Sequence, residues 1–441
     1  GGLFEPHDGD FYDFDAVTVC SKHLNTLKIP NAWFKGLIDI LETYNFTIDE
    51  NTSVDVELAV DPEMLGRIFE NLLAEINPET GETARKSTGS YYTPRPIVEY
   101  MVDESLKQYL KTKTAIPEDK LSDLLSYSES DTDLSEPEKG KIIAALDEVK
   151  IIDPACGSGA FPMGMLQKIV LVLQKVDPDS KGWLSKLLDS VPDATAREAL
   201  RKKLEGESDL WNYTRKLGVI RKSIYGVDIQ PIAVEISKLR FFLSLVVDEK
   251  VDDKKKNRAI EPLPNLEFKF VCANTLIGLP HNEGELFDDL RDIDALKNLR
   301  DKYFTASGHT KLKVENEFLS TQHKMLMRSM GWGKADTKAM KLSQWEPFKN
   351  KSTEWFDPEW MFGLKEGFDI IIVNPPYVGE KGHKEIFRTI RGGPFAEFYQ
   401  GKMDMFYFFF HLSLDLGNQG SQIAFITTNY YVTATGARTL R

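Results

Sequence analysis

Apolar residues along this chain follow two alternating patterns. Short unbroken runs, in "KIIDPA", "SIYGVD", "LEFKFVCANTLIG", "GFDIIIVNPPY" and "SQIAFITTNYY", predict five strands buried on both faces. Between them apolar positions recur at three- and four-residue intervals, as in "PMGMLQKIVLVLQKV", "PIAVEISKLRFFLSLVV" and "DMFYFFFHLSLDL", and these predict helices. Strands alternating with helices predict an α/β fold: a parallel, doubly wound sheet covered on both faces.

The same pattern divides the chain. Residues 1–80 predict a mainly helical N-terminal region, with an apolar patch in "NAWFKGLIDILETYN" and a helical face made by Leu65, Ile68, Phe69 and Leu72. Residues 81–441 predict the core, whose first helix, "PRPIVEYMVDESLKQYL", has Pro96 suited to its first turn. The acidic, Ser-rich stretch from Ser122 to Lys141 reads as a surface connection. Charged helical insertions are expected at about 177–216 and 282–351. The sequence stops at "TATGARTLR", soon after the fifth strand, where a doubly wound domain would still need its last strands.

Composition narrows the class. With 441 residues, 41% hydrophobic and 28% charged, the chain reads as a soluble globular protein too long for one simple core. No apolar run approaches a bilayer span, so no membrane partner is expected, and the start lacks the basic and apolar regions of a signal peptide. Cys20, Cys156 and Cys272 are too scattered for a disulfide framework or a thiolate metal site; reduced thiols in a cytoplasm are expected, and no metal. A net charge of −13 is unusual for a nucleic-acid binder, because phosphate neutralisation needs cations. Either the acidic residues face away from a polyanion, or the main gripping domain lies outside this chain.

Candidate chemistry begins in "DPACGSGAF", where Gly157 and Gly159 lie between strand and helix. Glycines there allow a tight turn and let a ligand approach the main chain; a purely structural turn is the plainer account. The stretch lacks the Lys-Ser/Thr ending of a phosphate-binding loop, which disfavours nucleotide triphosphate hydrolysis. Asp228 follows at the end of the next strand, in "YGVDIQP", and an acid there can accept hydrogen bonds from two ribose hydroxyls. Nucleotide redox cofactors and S-adenosylmethionine both satisfy that arrangement.

The fourth strand ends in Asn374, Pro375, Pro376 and Tyr377. Active sites of open parallel sheets lie beyond the carboxyl ends of the strands. Two prolines fix φ and remove N–H donors, leaving a stiff loop with free acceptors. The side-chain carbonyl of Asn374 and the backbone carbonyl of Pro375 can together accept both hydrogens of an exocyclic amine. Fixed acceptors stabilise the positive charge that builds on a poorly nucleophilic amine as it attacks a methyl sulfonium, and no general base is required. Tyr377 would stack on a base rotated out of the helix. A strand-ending turn with a packed tyrosine is the alternative.

In the order "TGSYYTPRPIVEYMV", "DPACGSGAF", "NPPY", these motifs resemble S-adenosylmethionine-dependent DNA adenine-N6 methyltransferases of the gamma class. "GGLFEPHDG", "VDPEMLGRIFENLL", "GVDIQPIAVEISKLRFFLSLVVDE" and "LPNLEFKFVCANTLIG" extend the resemblance over almost the whole chain. They are similar both to type IIG restriction–modification methylases and to PglX-like methylases of BREX phage-exclusion systems. The resemblance implies a Rossmann-like sheet and a site-specific adenine methyltransferase acting on double-stranded DNA by base flipping, in restriction–modification or phage defence. It implies that Tyr92, Thr93 and Pro94 contact the methionine end of the cofactor. Asp153, Ala155, Cys156, Gly157 and Gly159 would line its methionine and ribose portion, Asp228 and Ile229 its ribose hydroxyls and adenine face, and Asn274 its adenine edge. Many relatives carry aspartate at the position of Asn274. Phe161 either packs on the cofactor or is the first core residue of its helix. Cys156 is read as a small pocket-lining residue, since methyl transfer needs no nucleophile.

The family carries a target-recognition domain and a second base-clamping aromatic from a later motif, both expected outside this chain, as is a restriction domain or subunit. No Asp…Glu-x-Lys nuclease core is evident in the first 80 residues. Arg85, Lys86 and Arg95 read as solvated loop charges. The alternatives are methylation of a protein glutamine amide or an RNA amino group, and a cofactor-binding scaffold subunit.

Overall fold

A computed structural model of the chain describes residues 93–440, except for 129–132, 190–193, 205–209, 249–253, 255–264, 281–286, 307, 332–336 and 350, together with a few positions between 14 and 39. The chain divides into two compact units, Gly1–Leu65 and Gly66–Arg441. In the first, Phe14–Asp15 pairs antiparallel with Cys20–Ser21. The helical face expected at Leu65 to Leu72 lies outside the described residues, as does Tyr92.

Among the described residues of the second unit, α1 (Arg95–Thr114), α2 (Glu118–Leu125) and α3 (Glu136–Glu148) precede β1 (Ile151–Asp153). There follow α4 (Ala160–Val176), α5 (Lys181–Asp189), α6 (Ala194–Leu204), α7 (Trp211–Lys222), β2 (Ile224–Asp228), α8 (Pro231–Val246) and β3 (Phe270–Cys272). Then come α9 (Phe287–Thr305), α10 (Gly308–Gly331), α11 (Lys338–Gln344), α12 (Pro358–Phe362), β4 (Phe368–Val373), α13 (Lys384–Arg391), α14 (Phe406–Leu416) and β5 (Gly417–Phe425). The five strands form one sheet in the order β3-β2-β1-β4-β5, and every neighbouring pair is parallel. The chain therefore steps one way from β1 to β3 and the other way from β4 to β5. In open α/β sheets the crevice for ligands opens at such a reversal, here between β1 and β4.

The unbroken apolar runs of β1 to β4 follow from burial on both faces, whereas β5, expected to be buried too, lies at the edge of the sheet with no buried residue. Ile151, Ile224, Phe270, Ile370 and Ile372 enter one core with Leu106, Ile169 and Phe241 from α1, α4 and α8. Ile152, Tyr225, Val271, Ile371 and Val373 enter a second core with Leu296, Phe318, Trp360 and Phe406 from α9, α10, α12 and α14. At the amino edge the buried Asp369 carboxylate accepts from the Lys150 N–H at 2.9 Å and from Asn418 Nδ2 at 3.0 Å, tying the starts of β1, β4 and β5. No described helix is long and apolar enough to cross a membrane.

Three expectations are corrected. Ser122 to Lys141 is not simply a surface connection. Leu124 and Leu125 are buried on α2, and α3 starts within the stretch at Glu136. The Ser135 backbone and hydroxyl both donate to Glu138 Oε2 at 2.7 Å, a capping box hidden in what looks like a polar linker. The third strand is shorter than its apolar run, because Leu266–Phe268 forms a 3₁₀ turn and only Gly226–Asp228 of β2 offers partners to Phe270–Cys272. The fifth strand starts earlier than expected, at Gly417, and ends at Phe425. Backbone pairing with β4 carries the polar "GNQG" into the ladder across an irregularity between Phe368 and Ile370, and the ladder ends where Val373 meets Phe425.

Candidate active site at the carboxyl edge of the sheet

The Gly turn after β1 is fixed by its neighbours. Asp153 Oδ1 accepts from the Ala155 N–H at 3.0 Å, which starts the turn. The Cys156 N–H donates to the Val227 carbonyl at 2.8 Å, and the Gly157 N–H to Asp228 Oδ2 at 2.9 Å, so the end of β2 holds two successive turn amides. From α8, Ser237 Oγ donates to the Gly157 carbonyl at 3.0 Å and Arg240 Nη1 to the Ser158 carbonyl at 2.8 Å. Gly157 and Gly159 have φ of 52° and 84°, and a Cβ on Gly159 would lie 2.8 Å from Ser237 Oγ. Both glycines are therefore needed, one of them because α8 approaches so closely.

Burial pushes the Asp153 carboxyl well above the usual carboxylate range, aided by the nearby Asp228 charge. It pushes the Cys156 thiol up as well, with Asp153 and Asp228 adding to the effect. Cys156 is a neutral thiol packed beneath Gly226, where an added Cβ would meet its Sγ at 3.0 Å. Phe161 is 2% exposed and belongs to the core beneath α4. Ile229, by contrast, is 55% exposed beside Asp228. Asp228 Oδ1 also accepts from the Gln230 N–H at 2.8 Å. Asn274 follows β3, next to Asp228 across the sheet, since the Ala273 N–H donates to the Asp228 carbonyl at 3.0 Å. Its Oδ1 accepts from the Leu276 N–H at 3.1 Å, which shapes its own loop.

The loop after β4 is held differently. Asn374 leaves the strand half-buried, and its Nδ2 donates to Thr93 Oγ1 at 3.1 Å. Thr93 is buried, and the exposed Pro94 begins α1, its carbonyl accepting from the Ile97 and Val98 N–H groups. Pro375 is buried and Pro376 half-buried. The Tyr377 hydroxyl donates to the Ile426 carbonyl at 2.7 Å, and its ring centroid lies 5.8 Å from that of Phe406. Burial and the Asp404 charge push that phenol up, so it stays protonated and keeps this bond. Beyond it, Met405 N–H donates to the Val378 carbonyl and Glu380 N–H to the Met403 carbonyl, both at 2.9 Å, so a short pairing fixes the outgoing chain.

The structure thus joins Thr93 to Asn374, and Gly157 to Asp228. The contacts of Tyr377 run to α14 and to the residue after β5. Ser237 and Arg240 were missed by motif reading. The only trace they leave is two polar residues three apart on a helix that also carries Glu235, Lys238 and Ser244.

Residues 222–441 match the family described as Eco57I restriction-modification methylase. This supports a restriction-modification methylase. The matched methylase span takes in Asp228, Asn274 and the whole loop from Asn374 to Tyr377, while the Gly turn and Thr93 precede it. A protein of Methanocaldococcus jannaschii described as a type II restriction enzyme and methyltransferase is 29% identical over 299 residues, which covers 64% of this chain. The chain spans 22% of that relative's length.

Proposed function

We propose that this chain is the catalytic region of a site-specific DNA methyltransferase acting on the exocyclic N6 of adenine, with S-adenosylmethionine as methyl donor, in restriction–modification or phage defence. The observation that carries this reading is the bond from Asn374 to Thr93 at the reversal between β1 and β4. It ties the acceptor loop on one strand to the segment before α1, beside the strand whose end carries the Gly turn. The Rossmann-like reading of the sheet rests on the same reversal.

The residues present fit the cofactor. A tight turn with left-handed φ at Gly157 and Gly159, an acid at the end of β2 and the exposed Ile229 beside it suit a nucleoside with two ribose hydroxyls. The bound cofactor supplies an electrophilic methyl group on a sulfonium. Asp228 holds the ribose end, and Thr93 and Pro94 border the other end. Asn374 Oδ1 and the Pro375 carbonyl accept from the target amine and stabilise the charge that builds on its nitrogen. Thr93 keeps the Asn374 amide turned so that its oxygen serves the target. Tyr377, anchored through its hydroxyl, offers a fixed ring for a base taken out of the duplex.

The test is methyl transfer from labelled S-adenosylmethionine to duplexes with and without adenine. Label recovered as N6-methyladenine is expected. Label on cytosine, or cofactor binding without transfer to any duplex containing adenine, overturns the assignment.

A further inference from the structure

The helix α13 lies ten residues beyond Asn374 and reads "KEIFRTIR". Phe387 and Ile390 are each 1% exposed and face the second core, where Phe387 packs against Phe408 at a centroid distance of 6.1 Å. Lys384, Arg388 and Arg391 stand at i, i+4 and i+7, on one face of this helix, and all three are exposed, as is Lys381 just before it. From Glu380 to Arg391 these four cations stand beside two carboxylates, Glu385 and Glu380, the second of which interacts with Lys384, in a chain whose net charge is −13. None of these four forms an ion pair among the described residues, and Arg391 instead lies over the Tyr399 ring, 5.5 Å from its centroid. An exposed stripe of three cations with a surplus of positive charge, on an otherwise acidic protein, suits an anionic partner.

Its place in the fold says which. The helix starts past the carboxyl end of β4 and ends beside the loop that follows β3. A Cβ on Gly393 would lie 3.6 Å from Ile277 Cδ1, and one on Gly278 would lie 3.5 Å from Pro394 Cγ. It therefore runs along the same edge of the sheet as Asn374 and Asn274. At about 1.5 Å per residue the three cations span about 10 Å. A duplex carries one phosphate charge per about 1.7 Å of its axis, so the stripe can meet several phosphates at once. Resting on the methyltransferase reading above, we infer that Lys384, Arg388 and Arg391 form a phosphate-binding ridge that grips the DNA backbone beside the flipped base. The buried face of α13 sets its height, and the tether to the Asn374 loop sets its register relative to the target.

The test compares the chain with a Lys384→Gln/Arg388→Gln/Arg391→Gln variant in duplex binding across about 50 to 200 mM salt, with methyl transfer as a second readout. Each phosphate contact contributes about 0.9 to the slope of log affinity against log salt. The variant is expected to lose about 2 to 3 from that slope and to bind at least about tenfold more weakly at the lower salt. Thermal stability and S-adenosylmethionine affinity should be unchanged, because the three side chains are exposed. A variant with the wild-type slope overturns the ridge, even if both proteins methylate adenine. So does a wild-type chain that binds no duplex, or one that prefers anionic vesicles to duplex. If the ridge-dependent slope appears without any methyl transfer, the ridge stands and the adenine-methyltransferase reading falls.

Discussion

The two loops that meet at the carboxyl edge of the sheet are held by opposite means. The turn after β1 contains two glycines and a local side-chain bond, from the Ala155 N–H to Asp153; further side-chain restraint comes from Asp228 of β2 and from Ser237 and Arg240 of α8. The loop after β4 carries its rigidity in its own residues, two prolines followed by a tyrosine whose hydroxyl is tied to Ile426. A cradle that must admit a ligand against bare backbone can use few side chains of its own, so neighbouring elements supply most of the constraint. A loop that must present acceptors can use residues that fix φ and carry no donor. Substitutions should therefore act differently in the two places: loss of function without loss of structure after β4, and linked loss of both after β1.

The largest expected effect breaks function alone. Asn374→Ala should lower kcat by about 10²- to 10³-fold, the usual result of removing one fixed dipole from a developing charge. Cofactor affinity by calorimetry should hardly change. Equal loss of transfer and cofactor binding would show that Asn374 supports the cofactor site instead. On the other side of the comparison, Asp228→Ala removes the acceptor of the Gly157 and Gln230 N–H groups. Hydrogen bonds to a charged group contribute about 1.5 to 3 kcal/mol, so cofactor affinity should fall about tenfold or more, together with some stability. An unchanged cofactor affinity would remove Asp228 from the site.

This contrast also explains what could be read before any coordinates. The loop after β4 was legible because its constraint is local: "NPPY" announces a stiff acceptor-rich end to an apolar run. Strands β1 to β4 were legible because both faces are buried, as the all-buried run Phe368 to Val373 illustrates, whereas the edge strand β5 has no buried residue. The clamp on the Gly turn was not, since Ser237 and Arg240 act at a distance of about 80 residues in sequence, and a buried serine on a helix has no motif. Nor could sequence reveal that Asn374 meets Thr93, 281 residues away. The capping box at Ser135 was legible in principle, but a run of Ser and Glu reads equally well as linker until Leu124 and Leu125 are known to be buried.

A third substitution strikes the turn from inside. Gly159→Ala forces a left-handed φ on a residue with a Cβ, which costs about 1 to 2 kcal/mol before any contact is counted. The added Cβ would also lie 2.8 Å from Ser237 Oγ and 3.2 Å from Ser237 Cβ. The denaturation midpoint should drop by an amount corresponding to about 2 kcal/mol or more, and cofactor affinity with it. Stability within a few tenths of wild type would mean that the turn relaxes freely and that α8 does not confine it.

The smallest effect discriminates best. Ser237→Ala removes the hydrogen bond to the Gly157 carbonyl and the hydroxyl's bond with the Cys156 thiol, and a typical net contribution of about 1 kcal/mol per bond is enough to soften the turn without unfolding it. Made in a Gly159→Ala background, however, the same change takes away the Oγ that the new methyl group meets first. The Ser237 Cβ remains, so relief should be partial. A double-mutant cycle on stability should therefore show Ser237→Ala harmful alone and neutral or favourable beside Ala at 159, a coupling well above the few tenths of a kcal/mol expected of independent sites. Additive effects would mean that the serine and the glycine do not press on one another, and that Ser237 does not confine the turn after β1.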